Sequence, residues 1–155
     1  MITALGHLAQ VNGSKIFFYN QSDKETQSFS YAQTRMLSAA LAQELAKRGV
    51  SQGSHVACSL YNGPEFVFLA LAAAYGGFTL ATLNPRLSEE EQRLRKVELE
   101  SAVHEHDIMV LTDKAIRRMI VDALGFSMYD VAKNGTVPTT PHALAAFTYA
   151  RQHEE

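Results

Sequence analysis

Two histidines lie one residue apart in the segment His104-Glu105-His106, which makes them the first candidates for a chemical role. If this segment is extended, both imidazoles point to the same side and could bind one transition-metal ion. The sequence gives no third ligand a defined position beside them. We therefore expect ordinary surface histidines here and predict that the protein holds no metal.

The single cysteine, Cys58, is a second candidate because a thiolate is a strong nucleophile. A nucleophilic cysteine needs a neighbouring base and a polar setting, whereas Cys58 lies between Ala57 and Ser59 in a largely apolar segment. We predict a buried structural thiol. One cysteine also excludes an internal disulfide and a cysteine-clustered metal site, and a reducing cytoplasm is the simplest compartment.

Asn62 and Arg86 each follow a predicted strand, at the end of an α/β sheet where ligands usually bind. Asn62 could contact a ligand, but we favour the alternative that Asn62 or Gly63 caps the helix that begins at Pro64. Arg86 could form paired bonds to a phosphate or carboxylate, but we expect it to be exposed or locally paired. We assign no catalytic residue and leave the cofactor-binding residues open.

Composition limits the possible partners. The chain has 155 residues, of which 46% are apolar and 19% charged, with a net charge of -2. This composition predicts one folded domain and gives no overall field that would recruit nucleic acid or an anionic membrane. The local basic groups are Arg93, Arg95, Lys96, Arg117 and Arg118. Because acids are interspersed with them or they lie on outer helix faces, we interpret them as solvated surface.

A membrane-spanning segment and a leader are both disfavoured by the sequence. Residues 1–10 lack a basic start followed by an apolar block, so we expect no signal peptide. The stretch Phe66–Leu83 carries no charge and is long enough to test as a membrane span. Gly76-Gly77 divides it, and its second half is typical of a buried strand.

Capping signals and apolar periodicity predict the elements that position these residues. Ser30 and Gln33 have the spacing of a capping box, in which the serine accepts from a free amide and the glutamine reaches back. Leu37, Leu41 and Leu45 then recur at every fourth position, which indicates an amphipathic helix. A second capping box begins at Ser88.

Strands alternate with helices along the chain, which implies parallel pairing and right-handed connections. The predicted strands are Lys15–Tyr19, Gln27–Phe29, His55–Tyr61, Phe78–Leu83 and Ile108–Leu111. The first two form a hairpin. In the helix that follows Ser88, we expect Leu94 and Val97 to point inward, and we expect Tyr31 and Phe66 in the core. A further helix begins at Thr112 or Asp113 and ends at Gly125.

The predicted fold is therefore a three-layer α/β unit. It has a mostly parallel sheet of three or four strands, helices on both faces and an amino-terminal hairpin. We assign residues 1–125 to this unit and residues 126–155 to a loop-rich tail that packs on it or on a partner. Within the tail, Phe126–Ala132 is a possible fourth strand, and His142–Arg151 fits either helix or strand.

The order of these signals resembles the beginning of the AMP-forming acyl-CoA synthetases, in the adenylate-forming ligase superfamily. The motifs that carry the resemblance are Phe29-Ser30-Tyr31-Ala32-Gln33, Gly49-Val50, Gly53-Ser54-His55-Val56-Ala57, Asn62-Gly63-Pro64-Glu65-Phe66, Gly76-Gly77, Leu83-Asn84-Pro85-Arg86-Leu87 and Ser88-Glu89-Glu90-Glu91. Their order and spacing match the family over residues 28–93 and more thinly to residue 112. The fold predicted above is then a fragment of the family's large amino-terminal domain.

The resemblance implies two-step chemistry in the full-length family. A carboxylate attacks the α-phosphate of ATP to give an acyl-adenylate, and the thiol of CoA then displaces AMP. Magnesium and a glycine-rich phosphate loop assist the first step. The family's phosphate loop and later motifs do not occur in these residues, so the expectation is that this chain alone binds no ATP, magnesium or CoA and is inactive.

Two functional hypotheses follow. The first is a truncated, acyl-CoA synthetase-like amino-terminal module. The second is a non-catalytic self-associating or partner-binding module that keeps the scaffold. In either case the unit alone should leave apolar surface and a sheet edge uncovered, so we expect a homo-oligomer or a separate chain that completes the domain. A coincidental likeness of a generic α/β domain is the third possibility.

Overall fold

The computed structural model describes residues 2–21 and 25–154. Within these ranges the chain forms seven helices and five strands. The helices are α1 (Ile2–Asn12), α2 (Tyr31–Lys47), α3 (Pro64–Gly76), α4 (Glu89–Val103), α5 (Asp113–Leu124), α6 (Met128–Asn134) and α7 (Pro141–His153). The strands are β1 (Ile16–Gln21), β2 (Thr26–Ser30), β3 (His55–Ser59), β4 (Thr79–Thr82) and β5 (Val110–Thr112). Helix α1 was not predicted from the sequence.

The amino-terminal hairpin is confirmed. Strands β1 and β2 pair antiparallel, with Tyr19 opposite Ser28 and a register irregularity between Ile16 and Phe18. The ring of Phe18 stacks on Phe29 at 5.2 Å between centroids. Both rings also meet Phe68 of α3 edge-on, so one face of the hairpin is anchored in the main core.

The central sheet is parallel, as predicted, and has three strands in the order β4-β3-β5. The connection from β3 to β4 runs in one direction across the sheet. The connection from β4 to β5 runs in the other direction and passes β3. Right-handed connections therefore place α3 and α4 on opposite faces of this sheet. Helices α2, α3 and α5 contact one another and form the main helical layer.

Helix α2 is the centre of the core. Its capping box forms as predicted, because the Ser30 hydroxyl accepts from the Gln33 amide and the Gln33 side chain accepts from the Ser30 amide. Leu37, Leu41 and Leu45 are all fully buried. The capping box explains why the start of this helix could be predicted from the sequence. The helix is not amphipathic as predicted, because every residue from Gln33 to Ala42 is buried.

Helix α3 begins at Pro64, and its N-cap is Gly63 rather than Asn62. Its apolar side chains are buried on several sides, but Phe66 is 40% exposed and is not the core residue that the sequence predicted. Phe66 lies in the first turn, at the edge of the helical layer. No helix in residues 2–21 and 25–154 is both long and apolar enough to cross a membrane.

Helix α4 differs from the prediction in its burial. The capping box of Ser88 and Glu91 forms as expected. Leu94 and Val97, predicted to point inward, are 49% and 51% exposed, and none of the residues of α4 is buried. The periodic pattern predicts the helix but not its burial, because burial depends on which other elements of the fold pack against it.

The tail, residues 126–154, is mostly helical rather than loop-rich. The possible strand at Phe126–Ala132 is wrong, because Ser127 caps helix α6 there. The side chain of Gln33 donates to the carbonyls of Val131 at 3.1 Å and Thr136 at 3.2 Å, which ties α6 and the loop after it to α2. Helix α7 packs on α2 through three buried alanines, namely Ala143, Ala146 and Ala150.

Candidate functional site

The carboxyl edge of the parallel sheet is the place where this fold would bind a ligand. Strand β3 is central, and the chain leaves it towards β4 on one side and β5 on the other. At such a reversal the connecting loops diverge and leave a crevice. The residues that follow β3, β4 and β5 therefore define the candidate site.

Tyr61 and Asn62 follow β3 at this edge and are both exposed. The Tyr61 side chain is 57% exposed, and its backbone amide donates to Asp113 Oδ2 at 3.2 Å. This bond joins the loop after β3 to the start of α5. With Gly63 acting as the N-cap, the Asn62 amide has no capping role and faces solvent.

Arg86 follows β4 and is exposed at the same edge. The Leu83 amide donates to the Cys58 carbonyl at 2.7 Å, which extends the pairing of β3 with β4 up to this point. The Arg86 amide then donates to Asn84 Oδ1 at 2.9 Å in a turn. Within the described ranges no carboxylate pairs with the Arg86 guanidinium, so its charge faces solvent.

A buried carboxylate at the start of α3 was missed from the sequence. Glu65 is only 5% exposed and accepts from Arg117 at 3.3 Å and from the Tyr129 hydroxyl at 3.4 Å. Burial, followed by the nearby Glu65 charge, raises the pKa of Tyr129 above its ordinary value. Arg117, predicted as solvated surface, is instead half-buried against Glu65. The only sequence signal was an acid at a helix start, which is common at surfaces.

Cys58 is buried in β3, as predicted from the sequence. Burial raises the pKa of its thiol, and the charge of Asp113 adds to the effect. Both effects disfavour the thiolate, which is the reactive form. This cysteine is therefore a packing residue.

His104 and His106 line one open cavity of about 420 Å³, together with Val97, Glu100 and Ser101. No group of three metal-ligating side chains occurs within the described part of the chain. Glu105, between the two histidines, points to the start of β3, where His55 Nδ1 lies 2.5 Å from one oxygen and the His55 amide donates to the other at 3.3 Å. The His55 contact lowers the pKa of Glu105. The motif thus holds the α4–β5 loop against the sheet.

The start of α3 decides what the carboxyl edge can bind. Free amides at a helix start commonly hold phosphate. Here Pro64 has no amide hydrogen, and the Phe66 amide already donates to the Gly63 carbonyl at 3.2 Å. The buried Glu65 carboxylate at the same place already pairs with Arg117, so this cation is also engaged. This helix start therefore offers an anion few free donors, while Asn62 and Arg86 at the same sheet edge present an amide and a guanidinium.

Comparisons with known proteins match most of the chain to one family. The model of the family described as AMP-binding enzyme matches residues 6–149. Among curated relatives, 4-coumarate–CoA ligase 1 of Petroselinum crispum is 35% identical over 79 residues, which is 51% of this chain and 14% of that ligase. The 4-coumarate–CoA ligase CCL1 of Humulus lupulus is 41% identical over 56 residues, 36% of this chain and 10% of that ligase. The chain therefore aligns with only a small part of these relatives.

Solved structures show the same fold. O-succinylbenzoate coenzyme A synthetase of Bacillus subtilis, in complex with ATP and magnesium, has a TM-score of 0.57 at 22% identity and aligns over 72% of this chain and 33% of its own. The NpsA N-terminal subdomain of Klebsiella oxytoca, in complex with anthranilyl-AMSN, has a TM-score of 0.58 at 17% identity, with 75% and 31% aligned. At these identities the likeness concerns the fold.

Proposed function

Because this chain belongs to the AMP-binding enzyme family, we propose that it is an amino-terminal module of an AMP-forming acyl-CoA synthetase and does not activate a carboxylate by itself. The module supplies the scaffold and one wall of the substrate site. That wall is the carboxyl edge of the sheet, with Tyr61, Asn62 and Arg86 facing outward. A second polypeptide segment supplies the phosphate loop, the magnesium ligands and the groups that stabilise the developing charge.

The observation that carries this proposal is the chemistry at the start of α3. A nucleotide-activating site needs amides, hydroxyls and cations around the phosphates. Pro64 removes an amide from the helix start at the sheet edge, and Arg117 is already paired there with the buried Glu65 carboxylate. The sequence also contains no Gly-x-x-x-x-Gly-Lys segment. The triphosphate of ATP would therefore be held by residues other than these.

ATP–pyrophosphate exchange tests the proposal directly. The purified chain is assayed with ATP, magnesium and a panel of aromatic and aliphatic carboxylates, with a complete 4-coumarate–CoA ligase as the positive control. We expect no exchange above the protein-free background, and no heat of binding when ATP, AMP or CoA is titrated into the chain. Exchange that rises with both protein and acid concentration would overturn the proposal.

A second role, as a non-catalytic self-associating or partner-binding module, is favoured by helix α4. Its two central apolar side chains, Leu94 and Val97, are about half exposed and are available to a second polypeptide. Mixing separates the two roles: exchange that appears when a polypeptide carrying the phosphate loop is added supports the ligase module. Exchange that stays absent, together with a defined complex, supports the binding module.

We further propose that the chain self-associates and is located in the cytoplasm. Self-association is our first choice for covering the exposed apolar side chains, and light scattering at high protein concentration tests it. The buried, unpaired thiol of Cys58 fits a reducing compartment. Fractionation of cells that express the protein tests the location.

A further inference from the structure

We propose that the outer edge of strand β1 pairs antiparallel with the same strand of a second copy, so that two hairpins join into one four-stranded sheet. The inference rests on the self-association proposed above and gives it a location. The strand runs from Ile16 to Gln21, with the sequence IFFYNQ. Its inner edge pairs with β2.

The outer edge of β1 is open. No backbone hydrogen bond joins it to another segment within residues 2–21 and 25–154; the bond from the Tyr31 amide to the Lys15 carbonyl continues the β1–β2 pairing. An unpaired edge presents a row of amides and carbonyls that another strand can use. Natural edges are usually protected by charged side chains or proline, and β1 carries neither.

The side chains on this strand favour a second copy as the partner. Tyr19 is 66% exposed, and Ile16 and Phe17 are 40% and 39% exposed. Since β1 has no charged side chain, two copies meet without repulsion. The opposite face of the strand is already occupied, because Phe18 stacks on Phe29 in the core. The Phe17 ring meets Tyr31 edge-on at 4.9 Å between centroids. Tyr19 is therefore the aromatic side chain that a symmetric pair would cover.

We place the twofold axis at Tyr19, which lies in the regularly paired part of β1 and is its most exposed hydrophobic residue. The pairing with β2 shifts between Ile16 and Phe18, so the regularly paired part of β1 is Phe18–Gln21. A twofold axis at Tyr19 places the two Tyr19 rings directly opposite each other and sets Phe18 against Asn20. Directly opposed aromatic pairs are favourable in antiparallel sheets. This register uses the most exposed side chain of the strand at its centre.

Pairing through the β1 edge joins two copies, because the other edge of the hairpin is not equivalent. Helix α6 lies along β2, and an open cavity of about 340 Å³ separates residues such as Thr26 and Gln27 from Tyr129 and Lys133. A strand approaching β2 would meet this helix. Of the two hairpin edges that the structure describes, β1 is the one without a neighbouring helix, and a twofold contact between equal edges closes on itself.

Oligomeric state tests the proposal. We expect multi-angle light scattering to give twice the chain mass of 17.1 kDa for the unmodified protein and a monomer for Tyr19→Lys, which sets two like charges opposite each other. Leu144→Lys, at a residue 54% exposed on α7, is the matched control and stays dimeric. Circular dichroism melting confirms that each variant folds.

Cross-linking tests the register. Tyr19→Cys is expected to form a disulfide-linked dimer on oxidation, because directly opposed residues of an antiparallel pair lie within disulfide range, whereas Leu144→Cys does not. A monomeric unmodified protein contradicts both self-association and this interface. A Tyr19→Lys dimer, or a dimer whose Tyr19→Cys form does not cross-link, contradicts the β1 interface and leaves self-association intact. Neither result affects the exchange assay, which tests the ligase module separately.

Discussion

Arg35 and Glu154 form a buried ion pair, and removing one partner alone should be strongly destabilising. Arg35 Nε and Nη2 donate to the two carboxylate oxygens at 2.7 and 2.6 Å, and their side chains are only 7% and 10% exposed. The Tyr75 hydroxyl donates to the same carboxylate at 2.7 Å, and the Thr3 hydroxyl donates to the Glu154 carbonyl. One residue after α7 thus joins α1, α2, α3 and α7.

Arg35→Met removes the cation and leaves the carboxylate buried with Tyr75 as its remaining donor. Leaving one partner of a buried pair uncompensated costs about 3–5 kcal/mol. For a domain of this size the melting temperature then falls by roughly 6–20 °C. Replacing both residues, as Arg35→Met with Glu154→Leu, removes the unpaired charge and should cost less than Arg35→Met alone.

Urea denaturation followed by circular dichroism measures the unfolding free energy of the two single variants and the double variant. The double-mutant cycle then isolates the coupling between the two side chains. Gly6→Ala is an independent check, because a Cβ on Gly6 would lie 2.5 Å from the Glu154 carboxylate and must displace it. A loss below about 1 kcal/mol for Arg35→Met would refute the reasoning, since that is the range of an exposed pair.

Three further outcomes are expected. Leu41→Ala, at a fully buried position in α2, should cost about 2–5 kcal/mol of unfolding free energy, whereas Leu94→Gln on α4 should change it by less than about 0.5 kcal/mol; equal losses in urea denaturation would contradict the burial of α4. The His55 contact holds the pKa of Glu105 below its ordinary 4.5. The ionised Glu105 therefore stabilises the fold above that pH, and this stabilisation is lost as the pH falls through the lowered pKa. Glu105→Gln should therefore be less stable than the unmodified protein at neutral pH and equal to it in acid, and a difference that grows towards acid pH would show the opposite sign. Cys58 should react with a thiol reagent only at the rate of unfolding, so immediate labelling under native conditions would mean that it is not buried.

The elements of the α/β unit could be predicted from the sequence because their signals are local. The capping box of Ser30 and Gln33, the four-residue spacing of leucines in α2 and the stop at Gly125 each depend on residues within a turn of one another. The parallel pairing of β3 with β4 and β5 follows from the alternation of strands with helices, whereas their spatial order comes from the structure. The helix caps and the helix stop are therefore set by hydrogen bonds and steric preferences within one turn.

The burial of side chains was predicted less well, because it depends on which other elements pack against them. Leu94 and Val97 have the spacing of an inward face, but nothing in the described residues covers α4. Phe126–Ala132 has strand composition, and Ser127 nevertheless caps a helix that Gln33 holds from the far side of the chain. In each case the deciding neighbour is remote in sequence.

In the candidate site, too, some features could be predicted from the sequence and others required the tertiary structure. The sequence by itself placed Asn62 and Arg86 at strand ends, since a strand end is a local property. Only the tertiary structure joined Glu65 to Arg117 and Tyr129, and Arg35 to Glu154 across 119 residues. A buried charge is stable only where the fold brings an opposite charge or a hydrogen-bond donor next to it. Because these partners are distant in sequence, no local pattern predicts the contact.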